Sequence, residues 1–469
     1  MRVALVTLGC EKNTVDSERY LAELTAAGAT LADSADEADI VIVNTCGFVD
    51  AAKQESLDAI IRAGQSKAEG RAQTVVAIGC MVQRHRDELA EALPEVDLLL
   101  GTSDSDRLIP ELMRLGALPE GDVLHPGDRV FGGGNAFSRY LKVSEGSDHG
   151  CAFCAIPLMR GRHRSFALAD VVREAQLLEL QGARELNLVA QDLAHYGRDR
   201  RDGSGLPSLL RALLDETSIP WFRTLYLYAQ GVTPEFLSLV AAEPRIVPYV
   251  DIPIQHGHDE MLKRMRRPER AKTIRERVAA FRAAVPDVAI RTTVIVGFPG
   301  ETDDEFEALL TLLADVGFDR VACHMYSAQE GTRAAEMADD VPDVVKRERH
   351  ERVMEQQRHI TAERLERFVG RTVPVLVEAL DSDPATGEPR LRGRTPWQAD
   401  DIDGVTWLSG DARLGAFVDV VLDEVVDDYD YRATVLREVL APPTPAAARP
   451  RALPVLAATA GDSISAFGK

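Results

Sequence analysis

Short runs of β-branched residues alternate with amphipathic stretches through the first 130 residues of the chain. The runs at 3–7, 40–44, 75–78 and 96–100 predict strands, while the stretches that begin at Ser17 and Ala52 have the apolar spacing of helices. Alternating strands and helices form a parallel sheet with helices on both faces. We therefore predict a doubly wound α/β domain over residues 1–130, which ends in a loop rich in glycine and proline.

A second alternation of strand and helix covers residues 131–367. Six apolar, β-branched runs are each followed by an amphipathic stretch, and they lie at 140–144, 185–190, 224–228, 249–254, 290–296 and 320–326. Six βα units with parallel strands make an open, partial (β/α)6 barrel, because a closed barrel of this kind needs eight. In such a fold the chemistry lies at the carboxyl ends of the strands.

The last part of the chain has a different pattern. Short strand-like runs at 372–379, 393–395, 404–408, 417–422 and 433–436 are divided by glycine and aspartate turns. This pattern predicts a small β-barrel over residues 368–440. Residues 441–469 are rich in proline and alanine, and we predict that they form a disordered tail.

The composition of the chain indicates its cellular compartment and excludes some classes of binding partner. The chain has 469 residues, a formal net charge of −21 and six cysteines. The acidic balance argues against a general nucleic-acid-binding surface, which is usually basic. Few cysteines in a long chain fit a reducing cytosol, and no apolar run reaches the ~18 residues that cross a bilayer. We predict a cytoplasmic protein without a membrane partner.

Three cysteines follow three predicted strands of the first domain. Cys10, Cys46 and Cys80 each stand just beyond a strand, in Thr7-Leu-Gly-Cys, Asn44-Thr-Cys and Ile78-Gly-Cys. A lone cysteine in such a place is more often a small core residue. The carboxyl ends of parallel strands share one edge of the sheet, however, so the three thiols should converge. We predict that they are ligands of one iron–sulfur cluster.

A second set of candidates lies at the strand ends of the barrel. Cys151 and Cys154 follow the first strand at C-x-x-C spacing, which suits zinc, an iron–sulfur cluster or a redox pair. Gln191 and Asp192 follow the second strand, where a loop-starting aspartate often only caps a turn. The fifth strand leads into a glycine turn that lets backbone approach a ligand, and its residues are Gly297, Gly300 and Glu301.

Several segments resemble the methylthiotransferase family of radical S-adenosylmethionine (SAM) enzymes. The cluster loop KVSEGSDHGCAFCAIPLMRG is similar to the family's loop, and TLGCEKNTVDSE, VNTCGFVDAAKQESLDAI and IGCMVQR resemble its three amino-terminal cysteine motifs. LNLVAQDLAHYG resembles its second-strand motif, and RGRTPWQADDIDGVTWL resembles the TRAM domain. The family's cluster pattern is C-x-x-x-C-x-x-C, whereas this chain has Ser147 at the first position.

The resemblance implies two four-iron, four-sulfur (4Fe-4S) clusters and SAM as cofactors. The auxiliary cluster would be held by Cys10, Cys46 and Cys80, and the barrel cluster by Cys151, Cys154 and the doubtful ligand Ser147. Gln191, Asp192, Gly297, Gly300 and Glu301 are the expected SAM-contacting residues. Arg160 begins a local basic cluster, and its guanidinium is suited to hold a substrate carboxylate by two hydrogen bonds.

The motifs are most similar to the branch that adds a β-methylthio group to an aspartate of small-subunit ribosomal protein S twelve. The implied partners are that protein or the 30S subunit, together with an electron donor. Between 368 and 440 acidic residues outnumber basic ones about two to one, so tRNA is an unlikely partner. Two alternatives stay open here: a tRNA adenosine methylthiotransferase, and a cluster-binding protein whose SAM cleavage is impaired because Ser147 replaces a cysteine.

Overall fold

The computed structural model describes residues 1–122, 129–383 and 386–443. Its first sheet has five parallel strands in the order β2-β1-β3-β4-β5. The strands are β1 (Arg2–Thr7), β2 (Thr30–Leu31), β3 (Ile40–Thr45), β4 (Thr74–Gly79) and β5 (Leu98–Gly101). The chain adds β2 on one side of β1 and then β3, β4 and β5 on the other side. This switch between β1 and β3 opens a crevice at the carboxyl edge of the sheet.

Four helices cover the two faces of this sheet. They are α1 (Glu11–Ala26), α2 (Asp50–Ala68), α3 (Cys80–Ala92) and α4 (Leu108–Arg114). Apolar residues of α1 and α4 pack on one face, and those of α2 and α3 pack on the other, which is the doubly wound arrangement that the sequence predicts. The predicted start of the first helix at Ser17 is wrong, because α1 begins at Glu11 directly after Cys10.

The second sheet has six parallel strands in the order β13-β12-β11-β10-β9-β6. They are β6 (Ser138–Lys142), β9 (Glu185–Val189), β10 (Trp221–Thr224), β11 (Ile246–Asp251), β12 (Ala289–Val296) and β13 (Arg320–Met325). A short ladder of β7 (Ser144–Glu145) and β8 (Arg164–Ser165) follows β6. The sheet does not close, in agreement with the predicted partial barrel.

Helices pack on the outside of this sheet. They are α5 (Ile156–Arg160), α6 (Leu168–Leu180), α7 (Leu206–Glu216), α8 (Pro234–Ala242), α9 (Asp259–Arg264), α10 (Ala271–Ala284), α11 (Asp303–Val316) and α12 (Asp343–Glu366). One large apolar core lies between them and the strands, and it includes Cys323, which is buried as a packing residue. The regular alternation of strand and helix therefore covers the sheet with helices, as in other parallel α/β sheets.

Two predicted strands of the barrel are displaced. The sequence predicts strands at 224–228 and 249–254, but the structure places them at Trp221–Thr224 and Ile246–Asp251. The predicted runs are partly loop, because Tyr226 has a left-handed backbone conformation (φ +58°) that no strand accommodates. The apolar run after each strand is instead buried in the turns at the carboxyl edge of the sheet.

Five strands form a closed barrel at the carboxyl-terminal end of the described chain. They are β14 (Thr372–Ser382), β15 (Pro389–Arg394), β16 (Thr406–Ser409), β17 (Phe417–Val426) and β18 (Asp430–Leu440), arranged β14-β15-β16-β18-β17. The barrel packs against the six-stranded sheet through Trp221, Phe417 and their neighbours. A buried ion pair between Arg394 and Glu185 joins the two units.

Some predictions fall outside the described residues. They concern part of the glycine- and proline-rich loop, residues 123–128, and the tail beyond residue 443. The domain boundaries drawn from the sequence stay predictions. In the described ranges, no helix has the length and apolar character that a membrane crossing requires.

Candidate functional site

The three cysteines of the first domain stand at the crevice that the strand order creates. Cys10 follows β1 and precedes α1, Cys46 follows β3, and Cys80 is the first residue of α3. A side chain at Gly9 would lie 2.9 Å from the sulfur of Cys46. The backbone just before Cys10 is therefore packed against Cys46. The β1–β3 reversal therefore brings two of the three cysteines together.

Asn13 joins the third cysteine to this pair. Its amide nitrogen donates to the carbonyl oxygens of Leu8 and Thr45, at 2.7 and 3.2 Å, which are located just before Cys10 and Cys46. Its side-chain oxygen lies 4.0 Å from the sulfur of Cys80. The convergence predicted for the three thiols is what the structure has.

The chemistry of these thiols fits a metal cluster. All three are free, and burial raises the pKa of Cys46 to about 12 and that of Cys80 to about 11, with the neighbouring thiols contributing in the same direction. Thiols with so high a pKa stay protonated unless a cation stabilises the thiolate, and a bound iron ion does this directly. In the described chain the three sulfurs do not form a set of ligand atoms within 4.8 Å of one another.

The barrel loop is held by the β7–β8 ladder. The backbone N–H of Ser147 donates to the carbonyl oxygen of Gly161 at 3.0 Å, and its hydroxyl oxygen accepts from the backbone N–H of His149 at 3.2 Å. Ser147 is buried, and Gly146 before it has φ +74°, where a side chain would collide with the backbone of Arg162. The hydroxyl at position 147 is therefore fixed by the loop.

Cys151 is surrounded by polar groups that point at its sulfur. The hydroxyl of Tyr228 lies 3.1 Å from that sulfur, and a guanidinium nitrogen of Arg267 lies 3.7 Å from it. Arg267 covers one face of the Tyr228 ring at 3.8 Å, and the ring of His149 is stacked at 3.9 Å with an interplanar angle of 6°. Tyr228 and Arg267 thus contact the sulfur with polar groups, and His149 packs on the Tyr228 ring.

Cys154 is half-buried, as is Cys151. Burial raises the pKa of its thiol to about 12, and the nearby thiol of Cys151 acts in the same direction. Ala155 and Met159, which follow it, pack directly against Cys80 of the first domain. The two groups of cysteines therefore face each other across the contact between the first domain and the barrel.

Gln191 and Asp192 behave differently from each other. The Gln191 amide nitrogen donates to Glu145 at 3.2 Å, while its buried side-chain oxygen has no hydrogen-bond partner among the described residues. Asp192 accepts from the backbone N–H of Ala194 at 2.9 Å and is 2.7 Å from a ring nitrogen of His149. Gln191 thus has an open acceptor for a ligand, whereas Asp192 mainly fixes the loops around it.

The glycine turn after β12 is closed by Glu301. Its carboxylate accepts from the backbone N–H of Gly297, from His256 at 2.9 Å and from Arg349 at 2.7 Å. Gly297 and Gly300 have φ values of +70° and +74°, and a side chain at Gly297 would lie 2.3 Å from Lys346. The Glu301 carboxylate and the Gly297 N–H are therefore occupied within the protein, as is the N–H of Gly300, which donates to Asp340 at 2.8 Å.

Arg160 is buried between the first domain and the barrel. One guanidinium nitrogen donates to Asp16 and to Glu145 at 3.0 Å, and the other donates to Asn13 at 2.5 Å. Burial by itself raises the pKa of Glu145, but Lys142 and Arg160 outweigh it and lower that pKa well below its ordinary value. Arg160 has protein carboxylates as partners, and its predicted contact with a substrate stays a prediction.

Comparison with known proteins identifies the family. Residues 2–101 match the model of the uncharacterized protein family UPF0004, and residues 141–313 match that of the radical SAM superfamily. A ribosomal protein uS12 methylthiotransferase RimO from Anaeromyxobacter sp. (strain K) is 42% identical over 462 residues, 97% of each chain. The RimO protein of Geobacter sulfurreducens is 40% identical and covers 92% of this chain and 97% of its own. The chain belongs to the RimO family of methylthiotransferases.

A solved structure supports the fold of this RimO family member. The radical SAM methyltransferase TsrM of Kitasatospora setae matches with a TM-score of 0.51 at 14% identity, and the match covers 69% of this chain and 74% of that one. At this identity the similarity concerns the fold alone. It agrees with the parallel sheets observed here.

Sequence reasoning missed the residues around the Cys151 sulfur. Tyr228 lies in a segment predicted as strand, and Arg267 is the last residue of DIPIQHGHDEMLKRMRR, a segment that resembles the family without assigning a role to this arginine. An arginine and a tyrosine are common on any surface, so residue type alone does not indicate a contact with the sulfur in this RimO family member. Only the folded chain brings them to the cysteine.

Proposed function

We propose that the chain is a radical SAM methylthiotransferase that modifies an aspartate of ribosomal protein uS12, the S twelve protein. The observation that carries this proposal is the opposition of two cysteine groups, in which Cys80 packs against the residues that follow Cys154. A sulfur source and a radical source must act on the same carbon, so their sites have to be adjacent. The RimO relatives, matched along 92–97% of the chain, support the same function.

The protein side chains hold cofactors that carry the difficult chemistry. SAM and two 4Fe-4S clusters supply a radical and a sulfur atom when they are bound. Cys10, Cys46 and Cys80 are the proposed ligands of the auxiliary cluster. Cys151, Cys154 and the hydroxyl of Ser147 are the proposed ligands of the barrel cluster, since the β7–β8 ladder fixes all three in one loop.

The other predicted residues shape the SAM site in two ways. The unpaired oxygen of Gln191 is the proposed acceptor for a SAM donor group, and the Gly297 to Gly300 turn is the proposed backbone contact. Asp192 and Glu301 hold the loops that present them.

We propose further that the five-stranded barrel is a TRAM domain that meets a basic protein. Exposed aspartates such as Asp401, Asp427 and Asp428 give it an acidic surface, whereas Asp403 lies 3.6 Å from Arg320 of the sheet. An acidic surface attracts a basic ribosomal protein and repels tRNA. An electron donor is a required partner as well.

Neither alternative left open by the sequence gains support from the comparisons. RimO relatives at 38–43% identity match nearly the whole chain, so a tRNA methylthiotransferase is the weaker reading. The same matches do not support a chain that has lost SAM cleavage through Ser147. The serine therefore stands as a ligand to be tested, and enzyme function is retained in the proposal.

The decisive experiment uses the anaerobically reconstituted full chain. Iron and labile sulfide per chain, SAM cleavage and the mass of uS12 after reaction are measured on one sample. We expect two clusters per chain and methylthiolated uS12 or 30S subunit, with binding that weakens as salt is added. Comparable binding and modification of a tRNA anticodon stem-loop would refute the proposal.

A further inference from the structure

A methylthiotransferase that modifies an aspartate must hold a negatively charged side chain beside the sulfur source. A buried cation is the group best suited to that task. Most buried cations near the strand ends already pair with protein carboxylates: Arg160 and Lys142 with Asp16 and Glu145, Arg291 with Asp251, and Arg267 with Glu269. Lys12 has a carboxylate partner as well, Glu11, so the choice among these cations rests on unused donors and on nearness to a cluster cysteine.

Lys12 is the cation nearest in sequence to an auxiliary-site cysteine. It lies two residues after Cys10, in the first turn of α1, and only 9% of its side chain is exposed. Its ammonium donates to Glu11 at 2.5 Å and lies 3.4 Å from the centre of the Tyr226 ring. Among the described residues it has no other hydrogen-bond partner, so two of its three donors are free.

Glu11 accepts one hydrogen bond from the Lys12 ammonium and leaves its other donors unused. A second carboxylate that reaches the ammonium would be drawn to it by both charge and unused donors.

Tyr226 is built into this place at a conformational cost. It has φ +58°, which is unusual for a bulky residue, and such strain persists only where surrounding contacts fix it. Its backbone N–H donates to Asp251 at 3.2 Å, and its carbonyl oxygen accepts from Leu193 at 2.9 Å. The two contacts hold the ring under the Lys12 ammonium, at the carboxyl edge of the barrel.

From this arrangement we infer that Lys12 binds the carboxylate of the substrate aspartate. The inference rests on the proposed function and adds a substrate-binding residue to it. Two free ammonium donors fix one carboxylate, and the reacting carbon next to that carboxylate is then placed between the cysteine groups. Arg160 in turn serves the contact between the first domain and the barrel.

The test compares binding of two forms of uS12, one with the target aspartate and one with asparagine at that position. Dissociation constants are measured for the reconstituted enzyme with SAM, without reductant, so that no turnover occurs. We expect the native enzyme to prefer the aspartate form. In Lys12→Gln that preference falls at least tenfold, which equals 1.4 kcal/mol, whereas Lys12→Arg keeps most of it.

Two controls separate a binding role from a structural one. Lys272→Gln removes a lysine whose side chain is 84% exposed and should leave the preference unchanged. Iron content and SAM cleavage without uS12 show whether Lys12→Gln still holds its cofactors. If that variant loses iron, the preference for the aspartate form is compared between Lys12→Arg and the native enzyme alone. A native enzyme that binds both forms of uS12 equally overturns the inference.

The outcomes also distinguish this inference from the proposed function. A native enzyme that leaves uS12 unmodified contradicts the proposed function, whatever Lys12 does. A native enzyme that modifies uS12, together with a loaded Lys12→Gln variant that keeps the full preference for aspartate, overturns the role of Lys12 alone.

Discussion

The hydroxyl of Tyr228 lies 3.1 Å from the sulfur of Cys151, and Arg267 approaches the same sulfur at 3.7 Å. Hydrogen bonds to ligand sulfurs help set the reduction potential of iron–sulfur clusters, because they stabilise the more negative, reduced state. The two donors are therefore placed to make the barrel cluster easier to reduce. An oxygen ligand from Ser147 would act in the opposite direction, since a hard alkoxide favours the oxidised state.

Tyr228→Phe should lower the midpoint potential of the barrel cluster. Loss of one hydrogen bond of about 1 kcal/mol corresponds to roughly 40 mV for one electron. The measurement is a redox titration followed by electron paramagnetic resonance. Tyr249→Phe removes a buried hydroxyl that has no partner and serves as the control. Equal potentials in native enzyme and Tyr228→Phe would show that the contact has no electronic effect.

Ser147→Cys should tighten the barrel cluster. A thiol ionises far more readily than a hydroxyl and is the softer ligand, so the third iron would be held more firmly. Ser147 is buried, and its hydroxyl oxygen accepts a hydrogen bond from the backbone N–H of His149. A sulfur atom at this position can accept the same hydrogen bond. The measurement is the rate at which a chelator removes iron, which should fall by about tenfold or more, with Ser144→Cys in the preceding strand β7 as control. Equal rates would make serine a competent ligand.

Cys46→Ala should remove the auxiliary cluster and leave the barrel cluster in place. SAM cleavage at the barrel continues, but sulfur insertion into uS12 stops, because the two functions reside in different cysteine groups. Iron analysis and mass spectrometry of the product measure both. Cys323→Ala is the matched control, since Cys323 is also free and buried but lies in the apolar core. Retention of all iron in Cys46→Ala would contradict the assignment.

The stability of the metal-free protein should depend on pH through the same thiols. Burial raises the pKa of Cys46 to about 12 and of Cys80 to about 11, so the folded state holds these protons more tightly than the unfolded state. Their contribution is complete below the ordinary thiol pKa and is lost as pH rises through the folded values. Between pH 9 and 11 we expect each thiol to lower the free energy of unfolding by ~1.4 kcal/mol per pH unit.

Urea denaturation of the metal-free protein across this range tests the prediction. The comparison of interest is with Cys46→Ala, which keeps every other titrating group. The native chain should lose more stability per pH unit than the variant. Parallel curves for the two proteins would mean that the Cys46 thiol does not titrate as its burial predicts.

Arg394→Ala should destabilise the contact between the carboxyl-terminal barrel and the six-stranded sheet. Arg394 donates to buried Glu185 and Glu378 at 2.5 Å, and its removal leaves Glu378 without its arginine, whereas Glu185 keeps Arg223. Breaking a buried pair in this way costs about 3–5 kcal/mol. Urea denaturation and limited proteolysis measure the loss. Arg413→Ala breaks an exposed pair with Glu438 and should cost much less, because solvent screens exposed charges; similar losses for both variants would contradict the prediction.

The sequence by itself determined the order of strands and helices and the position of each cysteine after a strand. The reason is local: apolar periodicity, glycine turns and chain direction suffice to predict parallel sheets, and parallel sheets collect their carboxyl ends at one edge. Cys10, Cys46 and Cys80 could therefore be grouped before any coordinates were known. The same periodicity cannot fix strand ends, so the run at 224–228 was predicted as strand although Tyr226 turns there.

Only the tertiary structure decided which side chains from distant segments meet. Cys80 meets the segment after Cys154 because the first domain and the barrel share an interface, and Arg160 is committed to Asp16 and Glu145 by the same contact. Tyr228 reaches Cys151 across 77 residues of chain. Such pairings depend on how whole domains pack, and this packing leaves no periodic signal in either segment.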